Sequence, residues 1–221
     1  MVPWNELGRA KVGSAELVLA RRGDEFAIRL RGAELMNSRS HGSEDLLGKL
    51  GCAVLAKVGK ARVLVGGLGM GFTARAVLDS VRPDAQVVIR ELVPEVVAWN
   101  REYLGDLARR PLDDLRVTIE TGDVQEAIVR PEGAWNAILL DVDNGPDAFT
   151  SPANAGLYGL KGLIAARRAL APGGTFAVWS VEDDKKFTDR MRGAGFEVDK
   201  QRVLARPNST VKHVIWIGRR R

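Results

Sequence analysis

The chain has 221 residues, of which 45% are hydrophobic and 28% are charged, and its formal net charge is +5. This length and composition predict a globular α/β protein with room for one larger domain and a small appendage. The basic residues are scattered in pairs without interleaved aromatic residues, so the charge does not lead us to expect a nucleic-acid partner. Cys52 is the only cysteine, so no internal disulfide can form within these 221 residues.

Features of a membrane or secreted protein are missing from the sequence. No apolar run reaches the roughly 20 residues of a membrane helix. The first residues, Met1 to Glu6, do not show the basic-then-apolar layout of a signal peptide. We therefore expect a cytoplasmic protein without membrane contact.

The N-terminal part of the chain predicts β structure followed by one helix. Residues 14–22 and 25–31 alternate apolar and polar side chains around Gly23-Asp24, which is typical of a β-hairpin. Residues 34–41 continue as extended chain or loop. Helical spacing of apolar residues predicts a helix over 44–57, with Ser43 as its N-cap. We expect a small β appendage over 1–45 and a Rossmann-like domain over 46–221.

From residue 61 onward, predicted strands and helices alternate. The strands are 62–66, 86–91, 115–120, 135–141, 175–180, 196–204 and 211–218, and the helices are 71–81, 94–104, 124–129, 155–170 and 182–194. Repeated βα units predict an α/β fold with a doubly wound, mostly parallel seven-stranded sheet. The last two strands have no helix between them, so we expect them to pair as an antiparallel hairpin.

A glycine-rich turn follows the first strand of this series. The apolar run 63–65 leads into Gly66, Gly67, Gly69 and Gly71, and a helical pattern then begins. A strand that passes through glycines into a helix presents backbone N–H groups to a nucleotide-like ligand. The third glycine of a dinucleotide fingerprint would fall on Phe72, so the G-x-G-x-G spacing favours S-adenosylmethionine over a nicotinamide cofactor. A tight βα turn without a ligand is the alternative.

Acidic side chains stand at the ends of the next three strands, where ligands of such sheets bind. Glu91 could accept both hydroxyls of a ribose. Asp123, followed by Val124, could accept from an adenine amino group or cap the next helix. Asp141 ends the fourth strand, with Asp143 and Asn144 close behind it.

The carboxylates of Asp141 and Asp143 are the candidate catalytic groups. Two neighbouring carboxylates can raise one pKa or together hold a cationic substrate. The alternative is that they shape the loop through Asx turns. His41 and His213 are the only histidines and lie far apart from each other and from Cys52, so no metal site is predicted. His213 lies within a predicted strand and is expected to be structural.

Together these motifs resemble those of the spermidine synthases and their short bacterial relatives, a branch of the class I S-adenosylmethionine-fold transferases. The resemblance covers roughly residues 14–180. It rests on the glycine turn from Val63 to Leu78 with Arg75, on Glu91-Leu92-Val93-Pro94, on Gly122-Asp123, and on Asp141 followed by Gly145-Pro146.

The resemblance implies a methyltransferase-type sheet and a transferase with S-adenosylmethionine or its decarboxylated form as cofactor. Such an enzyme transfers a methyl or aminopropyl group to a small nucleophile, an amine above all, and a homodimer is possible. The resemblance also places His41, Glu44 and Asn144 at the substrate, next to the catalytic pair and to a cofactor site formed by the glycine turn, Glu91, Asp123 and Val124.

The chain departs from this family at three places, one of which is a Tyr-His/Gln-Glu cluster ahead of the core that is reduced here to His41-Gly42-Ser43-Glu44. Met70 stands where the family has an aspartate facing the amine end of the cofactor, so no strong preference for the decarboxylated form is expected. The catalytic loop, residues 141–146, is also shorter than in the family. A non-catalytic relative that binds a nucleoside or a partner protein is therefore the main alternative; a nicotinamide-dependent oxidoreductase and an RNA methyltransferase are the others.

Overall fold

The computed structural model describes residues 2–142, 156–206 and 209–221. Its N-terminal part is a four-stranded antiparallel sheet of β1 (Asn5–Val12), β2 (Ala15–Arg22), β3 (Glu25–Leu30) and β4 (Ala33–Asn37), in that order. The predicted hairpin is confirmed as β2 and β3, with Leu17 opposite Leu30. The sequence did not predict β1 or β4 as strands, because neither alternates cleanly between buried and exposed side chains.

The second sheet has seven strands in the order β10-β11-β9-β8-β5-β6-β7. They are β5 (Arg62–Gly66), β6 (Gln86–Glu91), β7 (Val117–Thr121), β8 (Trp135–Leu140), β9 (Leu170–Ser180), β10 (Glu197–Leu204) and β11 (Lys212–Arg219). Neighbours from β7 through β9 run parallel, whereas β11 is antiparallel to both β9 and β10. The mostly parallel sheet and its C-terminal antiparallel hairpin are thus confirmed. β9 begins five residues earlier than predicted, since Leu170 already pairs with Trp135.

The helices fall between the strands. They are α1 (Gly42–Gly51), α2 (Phe72–Ser80), α3 (Pro94–Trp99), α4 (Val124–Val129), α5 (Leu160–Ala169) and α6 (Lys185–Gly193). A π-helical turn (Asn100–Leu104) and two 3₁₀ turns (Gly105–Ala108 and Pro111–Asp113) follow α3. None of the helices in the described ranges is long and apolar enough to span a membrane.

The start and end of α1 differ from the prediction. The helix begins at Gly42 and ends at Gly51, and only turns continue to residue 57. His41, not Ser43, occupies the N-cap position, and Ser43 lies inside the first turn. The Ser43 hydroxyl does not cap the backbone because it bonds to the side chains of Glu44 and His213.

Alternate side chains of the central strand belong to two hydrophobic clusters. Val63 and Val65 pack in one cluster with Leu47 of α1 and Val77 of α2. Leu64 packs in the other, which also contains residues of α4, α5 and α6. Burying each such side chain contributes on the order of 1.5–3 kcal/mol. This packing fixes the carboxyl ends of β5, β6 and β8 side by side, and the loops after them form the site described below.

The contact between α1 and α2 generates a test of this packing. A Cβ added at Gly48 would lie 2.5 Å from the Cβ of Ala76 and 3.0 Å from the carbonyl oxygen of Thr73. We therefore expect Gly48→Ala to lower the free energy of unfolding by about 1–3 kcal/mol, because the two helices must move apart. Urea denaturation followed by circular dichroism measures the change.

The matched control is Gly193→Ala at the end of α6, where an added Cβ meets no atom within 4 Å. It should leave stability unchanged or raise it by up to about 1 kcal/mol through helix propensity. Equal stabilities for the two variants would contradict the close approach of α1 to α2.

Candidate active site

A pocket opens at the carboxyl ends of the parallel strands. Two glycines of the turn after β5, Gly67 and Gly69, line it, and four acidic side chains face it, namely Glu44, Glu91, Asp123 and Asp141. The N-terminal sheet forms an apolar wall of Val12, Leu17, Ile28, Leu30, Leu35 and Met36. The pocket therefore combines an acidic floor with an apolar cover, which suits a cationic ligand that also has apolar surface.

The glycine turn is held mainly by bonds within the protein. The N–H of Gly67 donates to the carbonyl of Arg90 at 2.8 Å, and the N–H of Gly71 donates to that of Leu68 at 2.8 Å. The prediction that these N–H groups are free for a ligand is therefore wrong at Gly67 and Gly71. Gly67 has φ +87°, and a side chain there would collide with the carbonyl oxygen of Asp141. The glycine thus lets two strand ends approach each other.

The other two glycines of the motif do not line the pocket. Gly66 ends β5, and a Cβ there would lie 2.9 Å from Cγ2 of Val124. Gly71 is the N-cap of α2 with φ +87°, and its Cβ would lie 2.9 Å from Cγ of Pro111. Both positions need glycine for packing.

Glu91 joins the end of β6 to the glycine turn. Its side chain is 7% exposed, Oε2 accepts from the N–H of Leu68 at 2.8 Å, and Oε1 accepts from the N–H of Val93 at 2.9 Å. Burial raises the pKa of Glu91, and the surrounding backbone N–H groups oppose that rise. Backbone N–H groups of Gly69 and Leu92 also act on this carboxylate, and Glu91 lines the pocket.

Asp123 caps the N-terminus of α4. One of its carboxylate oxygens, Oδ1, accepts from the N–H of Gln125 at 2.8 Å, which confirms the capping interpretation. Asp123 and Val124 also line the pocket. Since a carboxylate has more lone pairs than the cap uses, capping leaves Asp123 able to accept from a ligand.

Asp141 and Glu44 form an acidic pair at the pocket. The Thr73 hydroxyl donates to Oδ2 of Asp141 at 2.6 Å. Burial raises the pKa of Asp141 to about 6, Thr73 opposes the rise, and the charge of Glu91 adds to it. Burial also raises the pKa of Glu44 to about 7, with the charge of Asp141 adding to the effect. Neither carboxylate has a Lys or Arg partner among the described residues, so the pair can take up a proton near neutral pH or bind a cation.

The remaining predicted residues are placed differently. Asp143 and Asn144 lie outside the described residues. His41 is not part of the pocket lining: its ring stacks on Phe72 with centroids 4.0 Å apart, and its Nδ1 lies 3.0 Å from Oδ2 of Asp45. This bond to Asp45 raises the pKa of His41. Met70 is completely buried in the core.

Sequence reasoning missed Thr73 and Trp179. Trp179 lies near the end of β9 and lines the pocket one residue after Val178, which pairs with Leu140 of β8. Ligands of parallel sheets bind at the carboxyl ends of the strands, and this rule selected Glu91 and Asp141 from the sequence. The same strand-end rule would also have selected Trp179. Thr73, one residue into α2, carried no comparable signal in the sequence.

Comparison with known proteins shows the fold. No family model matches the sequence, and no curated protein does. A spermidine synthase in complex with the transition-state analogue AdoDATO has a TM-score of 0.75 at 16% identity, with 98% of this chain and 72% of that chain covered. The spermidine synthase from Thermotoga maritima gives 0.76 at 17% identity, with 98% and 73% covered.

A probable spermidine synthase from Corynebacterium glutamicum ATCC 13032 gives a TM-score of 0.68 at 19% identity, with 96% of this chain and 79% of that chain covered. At these identities the similarity is one of fold. The chain therefore has the α/β fold seen in spermidine synthases, and the predicted resemblance is confirmed at that level.

The raised pKa of Glu44 predicts how stability depends on pH. Its pKa is about 7 in the folded protein and 4.5 for an ordinary glutamate, so the folded state holds this proton longer. The stability associated with the proton is present below about pH 4.5 and is lost as the pH rises through about 7. Relative to Glu44→Gln, the wild-type free energy of unfolding should fall by on the order of 1–3 kcal/mol between about pH 5 and pH 8.

Urea denaturation at a series of pH values measures this difference. Glu95→Gln, at an exposed glutamate in the first turn of α3, is the control and should run parallel to the wild type. A Glu44→Gln curve that also runs parallel to the wild type would show that Glu44 ionises normally in the folded protein.

Proposed function

We propose that the protein is a transferase that binds S-adenosylmethionine or its decarboxylated form and transfers a methyl or aminopropyl group to a small amine. The observation that carries this proposal is that four acidic side chains line one pocket. Glu91, Asp123, Asp141 and Glu44 line this pocket together with Gly67 and Gly69 of the glycine turn. That a spermidine synthase of similar fold binds AdoDATO supports a sulfonium-type cofactor.

The nucleoside end of the cofactor would be held by Glu91 and Asp123. The carboxylate of Glu91 at the pocket suits the two ribose hydroxyls, and Asp123 suits the adenine amino group. Val124 and Leu92 line the same part of the pocket and supply apolar contacts for a base. When bound, the cofactor would supply an electrophilic carbon next to its sulfonium, and the acidic surroundings favour that positive charge.

The amine would be oriented and deprotonated by Asp141 with Glu44. The Thr73 hydroxyl fixes the Asp141 carboxylate at 2.6 Å, so the base is held in one orientation. The pKa is about 6 for Asp141 and about 7 for Glu44. A general base works best when its pKa lies near the pH of the reaction, and both values lie near neutral pH. As two coupled acids, they share the proton taken from the nucleophile.

The choice between the two cofactor forms would follow from Met70. A methionine in the core presents no carboxylate to an ammonium group, so a strong preference for the decarboxylated form is not expected. This departure also sustains the alternative of a non-catalytic nucleoside-binding relative. The cytoplasmic location, the homodimer and the domain boundary at residue 45 stay predictions from the sequence.

Glu91→Ala tests the nucleoside site. Leaving ribose hydroxyls without an acceptor should weaken binding of methylthioadenosine by about 1–3 kcal/mol, measured by titration calorimetry. Glu95→Ala, at an exposed position on α3, is the control and should bind like the wild type. Equal affinity in Glu91→Ala and wild type would refute the role of Glu91, and tight binding of a nicotinamide cofactor would favour an oxidoreductase.

Asp141→Asn tests the chemistry. The substitution keeps the shape and an acceptor for Thr73 but removes the base, so turnover should fall by roughly 10²–10⁴-fold while Tm does not decrease. Release of methylthioadenosine or S-adenosylhomocysteine is followed with a panel of small amines. The control is Asp24→Asn in the fully exposed β2–β3 turn. Full activity in Asp141→Asn would exclude the base role, and no release by the wild type with any acceptor would favour the non-catalytic alternative.

A further inference from the structure

A buried hydroxyl connects the acidic pair to a histidine that the proposed function does not use. Ser43 lies in the first turn of α1 and is completely buried. Its hydroxyl donates to Oε2 of Glu44 at 2.5 Å, and its Oγ lies 2.9 Å from Nδ1 of His213. One side chain thus bridges a pocket carboxylate and an imidazole.

The position of His213 is fixed by its neighbours. It lies in β11, and its ring meets the ring of Trp179 edge to face, with centroids 4.7 Å apart and planes at 74°. His213 is half-buried, whereas Glu44 and Ser43 are buried. Burial lowers the pKa of His213, so the ring is neutral at rest and an imidazolium formed on it loses its proton readily.

We infer that Ser43 and His213 form a proton relay. After each transfer, this relay removes the proton that Asp141 and Glu44 have taken up. This inference rests on the proposed function, in which Asp141 and Glu44 take a proton from the amine. Retention of that proton would leave the pair without its base for the next reaction. The contacts of Ser43 provide a route away from the pocket that does not pass the bound reactants.

The proton balance of the relay is simple. Protonated Glu44 donates to Oγ of Ser43 while the original hydroxyl proton of Ser43 moves to Nδ1 of His213. The O–H bond of Glu44 breaks, a new O–H bond forms on Ser43, and His213 becomes an imidazolium. Its Nε2 proton then passes to water, which leaves a neutral ring. No group is oxidised or reduced.

The charged groups around the relay lie on its pocket side. Glu44 faces Asp141 at the end of β8 and His41 ahead of α1, and Asp141 in turn faces Glu91. Around His213, the described contacts come from Ser43 on α1 and Trp179 on β9. Because the pKa of Glu44 lies above that of His213, the transfer to His213 is completed by the release of the Nε2 proton to water.

Nitrogen-15 NMR of the labelled full-length chain tests the hydrogen-bonded path without any substrate. His41 and His213 are the only histidines, so their ring signals can be assigned by single substitution. When Glu44 takes up its proton near pH 7, the Ser43 hydroxyl should turn toward His213, and Nδ1 of His213 should change from donor to acceptor. The expected result is a step in the Nδ1 shift near pH 7, separate from the titration of the ring itself.

Ser43→Ala should abolish this step. The control is Ser40→Ala, whose hydroxyl bonds to the carbonyl of Ala205 and not to the relay, and it should keep the step. Glu44→Gln should also abolish it with Ser43 in place, which guards against a folding defect in Ser43→Ala. The same step in Ser43→Ala or in Glu44→Gln would overturn the relay.

Turnover supplies the second readout. His213→Ala should lower kcat by at least about tenfold with KM for the cofactor unchanged, and added imidazole should restore the rate. A purely structural role of His213 would not respond to imidazole, so the absence of rescue would overturn the relay. Failure of the proposed function would appear instead as loss of cofactor binding or of all transfer by the wild type, with the NMR step still present.

Discussion

The pair of backbone hydrogen bonds to Glu91 determines the shape of the site. Through Leu68 and Val93, one buried carboxylate ties the turn after β5 to the segment after β6. A buried carboxylate without such donors would cost several kcal/mol, and one of the donors, Leu68, stands in a turn in which Gly67 has a positive φ. The glycine turn and the acid therefore depend on each other, and together they form one wall of the pocket.

The strand-end rule explains how much of the site could be predicted. Glu91, Asp123 and Asp141 follow three strands whose parallel alignment brings their ends together, so their positions could be derived from hydrophobic runs and glycines alone. The place of Glu44 at the substrate was predicted from the resemblance to the spermidine synthases. By contrast, Thr73 on α2 bonds to Asp141 after β8, and Ser43 on α1 bonds to His213 on β11. No local pattern encodes contacts between elements so far apart in the chain.

The errors in the fold have equally local causes. β1 was not predicted, and β4 was predicted only as extended chain or loop, because neither strand alternates strictly between buried and exposed side chains. The ring of His41 lies on Phe72 and its Nδ1 bonds to Asp45, so the role of His41 at the substrate stays a prediction. The backbone N–H groups of Gly67 and Gly71 were expected to face a ligand, and carbonyls of neighbouring segments accept from them instead.

The burial of Met70 limits how the ligand preference of this pocket can change during evolution. An aspartate at this position would place a carboxylate in the core beside Leu68 and Phe72, at a cost of several kcal/mol, before it could recognise anything. A single substitution there therefore has to cross a stability barrier. A substitution of Met36 meets no such barrier. This residue lies on the apolar wall against Gly69 and is only partly buried. New specificity is more accessible through the N-terminal sheet than through the glycine turn.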